Sequence, residues 1–597
     1  MIVPMKKVTL FMSSREKETS LKKLRKLGVL HIHYINKPES EDIEALEKNI
    51  SKVDKTLKSI QEWEVSGSKT ARNPQKIIDE FLELNQKKRD VQHKLQELIK
   101  TNRWFERWGQ ASFDSVREIQ QRNIYIHFYI LDKKNYKDIN EKDEITLIKE
   151  EKGRYFILYF SESAENPLDF KEDPMPDVDY TQLQKNIKEY KKEIDHLNKK
   201  LYTIAQYQDD LLEYKNELNK KIEFNKVADS MGEKTNFVYL QGFCPDNLIK
   251  EVKKQADKEQ WGYLFEEPDD PSVVPTLLKN PKAFRIIEPV YDFMGILPGY
   301  KEMDISFVFL LFFSLFYAMI IGDAGYGLLF LSATIILRTV IKKAPDEPFI
   351  LFGVLSITTI IWGALTGTWF GSKFIAEQTF LKRFIIDPIY SFDNSRESIR
   401  FMMRFTFILA LIQLSIGHLM VAYRNRKTIK CLADIGWVLI IISMFYVTNL
   451  LVLNDPLPPF VSPLLIIGFL LVGLFTNFQK NIFKAFFGSA FTVLLDIIGS
   501  FSDIVSYVRL FAVGVATVAV ASTFNSMASG LLAPLILILG HGLNILLAIM
   551  SVLVHGIRLN VLEFSTALGQ EWTGIEYKPF QESNNNKREN KTERDKK

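Results

Sequence analysis

Two arginines in apolar surroundings have the clearest chemical potential. Arg509 stands in Ser502-Asp503-Ile504-Val505-Ser506-Tyr507-Val508-Arg509-Leu510-Phe511-Ala512, inside an apolar stretch from about Phe486 to Met527. A charge at the middle of a membrane-spanning helix costs about 2.5–3.5 kcal/mol on insertion scales, so it marks a functional site by default. Arg558 lies inside the next apolar stretch, and two such arginines in the last two spans point to ion passage. The plainer alternative is that each arginine snorkels to a headgroup or pairs with a fixed carboxylate such as Asp503. Asp496, Asp503 and Tyr507 share a helix with Arg509, and Ser502, Ser506, Ala512 and Ala516 recur on its face. Such a strip is smooth enough for another helix to slide past, or serves ordinary small-residue packing. The last stretch adds His541, Asn544, Ser551, His555, Arg558 and Glu563, with His555 and Arg558 on one face by their spacing of three. Gly322-Asp323-Ala324-Gly325-Tyr326-Gly327 turns the chain near the outer face, and His418 is a core histidine or a channel group.

These residues need a polytopic helical membrane domain to hold them, which we bound at 301–570. Eight spans are expected, at about 304–322, 325–342, 348–368, 401–423, 432–453, 458–477, 487–528 and 533–568. About 20 apolar residues cross the hydrocarbon core, so the last two are long enough to tilt or run partly outside it. The loops at 338–347, 424–430 and 478–484 carry lysine or arginine, whereas those at 454–459 and 528–533 carry none. The positive-inside rule then puts both termini in the cytoplasm, with the basic loop 371–400 as the exception. The segment 571–597 reads as a cytoplasmic tail, disordered from about Gln581 onward.

The first 300 residues are rich in charged and amide side chains and read as a cytoplasmic domain without a signal peptide. A net charge of +4 gives no reason to expect nucleic acid, and two cysteines, Cys244 and Cys431, exclude a disulfide framework. Residues 1–40 and 235–300 each read as a β-α-β half of one proximal α/β lobe, with His31 and His33 on one solvent-facing side of a strand. Residues 41–101 and 178–230 carry apolar residues at heptad spacing and read as two arms of a long antiparallel coiled-coil hairpin. About fifty residues of helix span roughly 75 Å. The insert 102–177 reads as a distal α/β lobe. No G-x-x-x-x-G-K-[ST], H-E-x-x-H or C-x-x-C motif occurs, so neither ATP hydrolysis by this chain nor a metal site is expected.

Three motifs in this order resemble a known family: Gly322-Asp323-Ala324-Gly325-Tyr326-Gly327, Ser506-Tyr507-Val508-Arg509-Leu510, and Leu553-Val554-His555-Gly556-Ile557-Arg558-Leu559-Asn560-Val561-Leu562-Glu563-Phe564. Together they look like the a subunit of V-type ATPases, called subunit I in archaeal and bacterial rotary enzymes, and the resemblance covers essentially the whole chain. It implies a non-catalytic stator subunit in the cell membrane. Such a subunit faces a rotor ring of c/K-type subunits, each carrying a carboxylate, and couples H⁺ or Na⁺ transport to ATP hydrolysis or synthesis on other subunits. No cofactor is implied. Arg509 and Arg558 match the family's key arginines, favouring the ionised ring carboxylate and blocking leakage between two offset half-channels. Asp323 would belong to the outer half-channel, and Asp496, Asp503, His555 and Glu563 to the inner one. One departure from the family pattern is at Asn560, where members often carry another polar residue. The cytoplasmic arm would bind E/G-type peripheral stalks, with a d/C-type central stalk subunit and membrane lipid as further neighbours. The competing class is a secondary transporter with a regulatory coiled coil, which predicts inverted repeats and broken helices in the membrane half. A sensor whose arginines only stabilise a helix bundle is a third possibility.

Overall fold

The computed structural model describes residues 1–582 except 62, 64–72, 111–112, 140–144, 167, 169, 343, 394 and 477–481. For 113, 138 and 482–490 it describes the backbone alone. The basic loop expected at 478–484, apart from the backbone of its last residues, and the tail beyond 582 therefore lie outside the described residues. The chain divides into two compact units.

One unit joins the N-terminal lobe to the apolar helices. Its sheet runs in the order His31–His33, Phe237–Pro245, Met5–Ser13, Gly262–Glu266. The two β-α-β halves thus interleave: Thr9 faces Leu264, and Ile32 faces Gly242, both in antiparallel register. Val8, Leu10, Met12, Val238 and Leu240 are buried there and supply the apolar area that holds the sheet. A Cβ on Gly242 would meet His31 O at 2.5 Å, so the strand crossing requires glycine.

The apolar half forms the helices Ser306–Ile321, Ala324–Val340, Asp346–Thr366, Arg396–Arg424, Lys430–Leu453, Val461–Phe475 and Ile482–Ser506 with Val508–Met527. The final run starts at Ala533–Ser551 and ends at Phe564–Leu568. Each expected span has a helical counterpart among the described residues, but not each has spanning length. Among the described residues, five runs are long and apolar enough to cross a membrane. The first two helices have 16 and 17 residues and meet at a 119° bend, and Val461–Phe475 has 15. The bend falls at Gly322, whose φ of +67° is the left-handed helix cap that glycine adopts without strain.

The chain enters and leaves this bundle at one place. Gln570 Nε2 donates to Met303 O at 2.6 Å, and Glu571 N to Glu302 Oε1 at 2.7 Å. The segment after it is ordered as far as it is described. Ile575–Glu576 pairs in parallel with Pro275–Thr276, and Tyr577 OH donates to Val29 O at 2.5 Å. Phe580 N donates to Leu30 O at 2.8 Å, and the Phe580 side chain is buried. His31 is consequently not an open surface group: its Nδ1 accepts from Lys578 N at 3.0 Å, with Tyr577 stacked beside it.

The other unit is built on four helices, Glu41–Ile60, Pro74–Trp108, Tyr180–Ala205 and Gln208–Ser230. Ser40 Oγ, Asn73 Oδ1 and Asp179 Oδ2 cap three of their N-termini. Glu47 bonds Lys226, Asp54 bonds Lys215, Lys87 bonds Glu193 and Asn102 bonds Gln184. Numbers rise on one arm as they fall on the other, so the arms run antiparallel. Val53, Leu57, Phe81, Leu201, Leu211 and Leu218 form their shared core. The outgoing arm continues past the expected boundary at 101 to Trp108. Trp104 and Trp108 are buried against Phe128 and Phe156 of the sheet Tyr125–Asp132, Arg154–Ser161, Ile145–Glu151. Both indoles donate to Asp173, at 3.0 and 2.9 Å.

Candidate functional site

The penultimate run is interrupted at Tyr507. Tyr507 N bonds to Ile504 O and Leu510 N to Tyr507 O, the three-residue spacing of a tightened turn. The fully buried Tyr507 ring packs edge-on against Phe316, 5.8 Å between centroids. Its hydroxyl donates to Gln413 Oε1 at 2.8 Å, and Gln413 Nε2 donates to Asn560 Oδ1 at 2.9 Å. Asn560 Nδ2 reaches Gly556 O at 3.3 Å. Three apolar runs are thus pinned by one buried polar chain whose donors and acceptors satisfy one another, as an apolar medium requires.

Two residues beyond Tyr507, Arg509 Nε donates to Ser506 O at 2.9 Å and Nη2 to Glu563 Oε1 at 2.8 Å. Arg558 Nε lies 3.5 Å from the same oxygen. Side-chain exposure is 6% for Glu563, 25% for Arg509 and 53% for Arg558, so a buried carboxylate anchors two progressively more open guanidiniums. The last run permits this because Val552–Gly556 and Leu559–Glu563 are π-helical. In an α-helix, residues five apart diverge around the axis, whereas a π-turn closes over that interval. Arg558 and Glu563 therefore share a side. Among the described residues, Glu563 Oε2 and His555 Nδ1 are buried without a hydrogen-bond partner.

Ser502, Ala512 and Ala516 are exposed, Ser506 is half-buried, and Ile504, Tyr507, Leu510 and Thr517 are buried. The small-residue strip thus lies on an open side of the helix, beside Arg509. Asp503 is half-buried and Asp496 exposed; their carbonyls accept from Ser506 Oγ and Ser500 Oγ. The carboxylate that pairs with Arg509 is Glu563, not Asp503.

Asp323 sits in a different cluster. Its Oδ1 accepts from the backbone N–H groups of Gly325, Tyr326 and Phe370, and Oδ2 from Gly371. It therefore caps the Ala324–Val340 helix and ties it to the loop after Thr366. Beside it, Tyr326 OH bonds His541 Nδ1 at 2.7 Å and accepts from Asn544 Nδ2 at 3.0 Å. His541 Nε2 meets Asn525 Oδ1 at 3.2 Å, and Asn525 Nδ2 donates to Phe370 O at 2.7 Å. His418 stacks on Trp437, 5.7 Å between ring centroids. Sequence reasoning passed over Gln413 and Asn525; each is an amide inside an apolar run, the signal that singled out Asn544 and Asn560.

No family model matches the sequence. The V-type ATP synthase subunit I of Borreliella burgdorferi is 32% identical over 620 residues, covering 97% of this chain and 99% of that one. The V-type ATP synthase subunit I 1 of Treponema pallidum is 30% identical over 622 residues, covering 98% and 100%. The A-type ATP synthase subunit I of Methanocaldococcus jannaschii is 24% identical over 449 residues, covering 68% of this chain and 64% of that one. A solved cytoplasmic N-terminal domain of a subunit I aligns with 44% of this chain and 99% of its own at 12% identity, with a TM-score of 0.24, too low to carry weight. With apolar helices of membrane-spanning length and two relatives alike from end to end, this chain belongs to the V-type ATP synthase subunit I family, as a multi-pass membrane subunit of an ion-transporting V-type ATPase.

Proposed function

We propose that this chain is the stator side of a rotary ion path, with Arg509 the fixed charge that a moving ring carboxylate must pass. The observation carrying this reading is that Arg509 stands on an open helix side, beside an exposed strip of small residues, while buried Glu563 holds it from behind. A c/K-type ring would run along Ser502, Ser506, Ala512 and Ala516. On arrival its carboxylate competes with Glu563 for the Arg509 guanidinium, which has five donors and serves two carboxylates at once. The ionised form is favoured there, so the ion leaves before the carboxylate moves on. Arg558 backs Glu563, so Glu563 keeps a partner while Arg509 is engaged elsewhere. Asp496, Asp503, His555 and Glu563 would form the cytoplasmic path, and the cluster around Asp323 and His541 the opposite one. In that path Asp323 would hold the geometry, since four backbone donors occupy its carboxylate. H⁺ and Na⁺ both fit this scheme, because the ring carboxylate's surroundings select between them.

The adjacency of Gln570 and Met303 supports an even number of crossings, because both ends of the apolar half then open on one side. Counting Val461–Phe475 as a crossing, eight satisfies this only if the bent first pair crosses twice. With cytoplasmic termini, the antiparallel arms form a coiled-coil strut for E/G-type peripheral stalks, and the lobe reaches a d/C-type central stalk subunit. The bent pair is also what a secondary transporter would offer, but end-to-end likeness to subunit I relatives outweighs it. The test is cross-linking in the assembled complex. Cysteine at Ala512 or Ala516 should cross-link to the ring subunit, and cysteine at buried Ile504 should not. Equal yields at all three would overturn the reading.

A further inference from the structure

The outer part of the loop between Thr366 and Arg396, residues 373–386, takes no part in the proposed path, and the loop's composition broke the charge rule that fits the other short loops. From Gly371 to Ile386 it carries Lys373, Lys382 and Arg383 against one acid, Glu377. Two short helices, Lys373–Ala376 and Thr379–Lys382, present large aromatic rings outward. Phe374 is 79% exposed, Phe380 74% and Phe384 49%, with Phe380 and Phe384 in edge contact. Lys373, Lys382 and Arg383 are exposed among them, and Lys373 pairs with Glu377 at 3.7 Å.

The loop's base, by contrast, is fixed. Phe370 and Gly371 bond Asp323, Ile386 N donates to Leu365 O at 3.0 Å, and Ser391 N to Thr366 O at 3.0 Å. The aromatic segment is thus held at the level where the Asp346–Thr366 helix ends and the Arg396–Arg424 helix begins. Both are long enough to span, so that level is a membrane surface. Exposed phenylalanines cost hydration free energy in water and lose that cost among acyl chains and headgroups. Lysine and arginine beside them match lipid phosphates, each adding attraction to an anionic surface.

We propose that residues 373–386 form an interfacial anchor that inserts Phe374, Phe380 and Phe384 into the bilayer surface and binds anionic phospholipid headgroups through Lys382 and Arg383. Because the same loop supplies the backbone donors to Asp323, the anchor fixes that cluster at a set depth in the membrane. The proposal requires only that the chain is a membrane protein, and it stands whether or not Arg509 faces a ring.

The test uses the full-length chain in nanodiscs of phosphatidylcholine, with or without phosphatidylglycerol. A fluorophore is attached at Phe380→Cys in a Cys431→Ala background, leaving Cys244, which is buried. Spin-labelled lipid with its label near the headgroup should quench the fluorophore, and a water-soluble quencher should not. Adding phosphatidylglycerol should strengthen the lipid quenching. Lys382→Glu with Arg383→Glu should lower the preference for phosphatidylglycerol by about tenfold or more, at unchanged elution volume. Quenching from water in both lipid compositions would overturn the proposal. So would protection that appears only when the other subunits are assembled, which would make the segment a protein contact. Loss of elution as a single species in the charge-reversed pair moves the comparison to Phe380→Cys alone, whose quenching decides the outcome.

Discussion

At the residue scale, the centre of the molecule is the buried Glu563 carboxylate between two arginines of unequal exposure. Removing one partner of a buried ion pair costs up to about 3–5 kcal/mol, whereas an exposed pair is worth about 0–1 kcal/mol. Glu563→Gln should therefore lower the unfolding temperature of the purified chain clearly, and Arg558→Ala by little, as a thermal melt in detergent would show. Equal losses would mean that Arg558, not burial, holds the carboxylate. Both arginines were legible in the sequence, because charge in an apolar run is rare and costly. Their shared partner was not. Helical geometry places positions 558 and 563 apart, and nothing in the residue types announces the π-turns that bring them together. In the N-terminal lobe, burial pushes the Cys244 thiol up to about 12. It should thus resist iodoacetamide at pH 8 in the folded chain and react once unfolded. Labelling at equal rates in both states would contradict its burial.

At the element scale, close helix packing is concentrated at chosen glycines. On the Asp346–Thr366 helix, a Cβ at Gly363 would lie 2.1 Å from Ala324 N, while one at Gly353 meets nothing within 4 Å. Gly363→Ala should destabilise by at least about 1–3 kcal/mol and Gly353→Ala should be neutral or slightly stabilising. Indistinguishable melts would refute that contact. The segment after the bundle is a second such element. Phe580→Ala should cost about 3–5 kcal/mol of lobe stability, because the ring is buried beside Arg25. Burial holds His31 below its ordinary 6.5, so the folded lobe keeps the ring neutral as acceptor for Lys578 N. Unfolded chains take up that proton first as pH falls through 6.5, so the contribution is full above that value and is lost below it. His31→Gln should flatten this part of the pH–stability curve. The helices, the arms and most strands were readable from apolar periodicity. The interleaving of the two β-α-β halves and the capture of the C-terminal segment were not, because strand order and a short extended strap leave no periodic trace.

At the scale of the whole molecule, an apolar half that opens and closes at one point is joined to a lobe that holds Met1 and the segment up to Phe580. Met1's ammonium group bonds Asp304, and Phe580 lies on the strand edge at Leu30. Such closure ties the first and last apolar helices to one lobe, as the proposed stator role requires. The division into a charged half and an apolar half was plain from composition and the turn at 322–327 from its glycines, whereas the shortness of the first two helices and the 119° angle between them escape a hydropathy count. The central claim is that Arg509 is a working charge rather than a strut of the bundle. It is tested most directly by ATP-driven ion uptake into vesicles holding the assembled complex with Arg509→Ala. The account predicts intact assembly and ATP hydrolysis without net uptake. Uptake at the rate of the unaltered complex would contradict it.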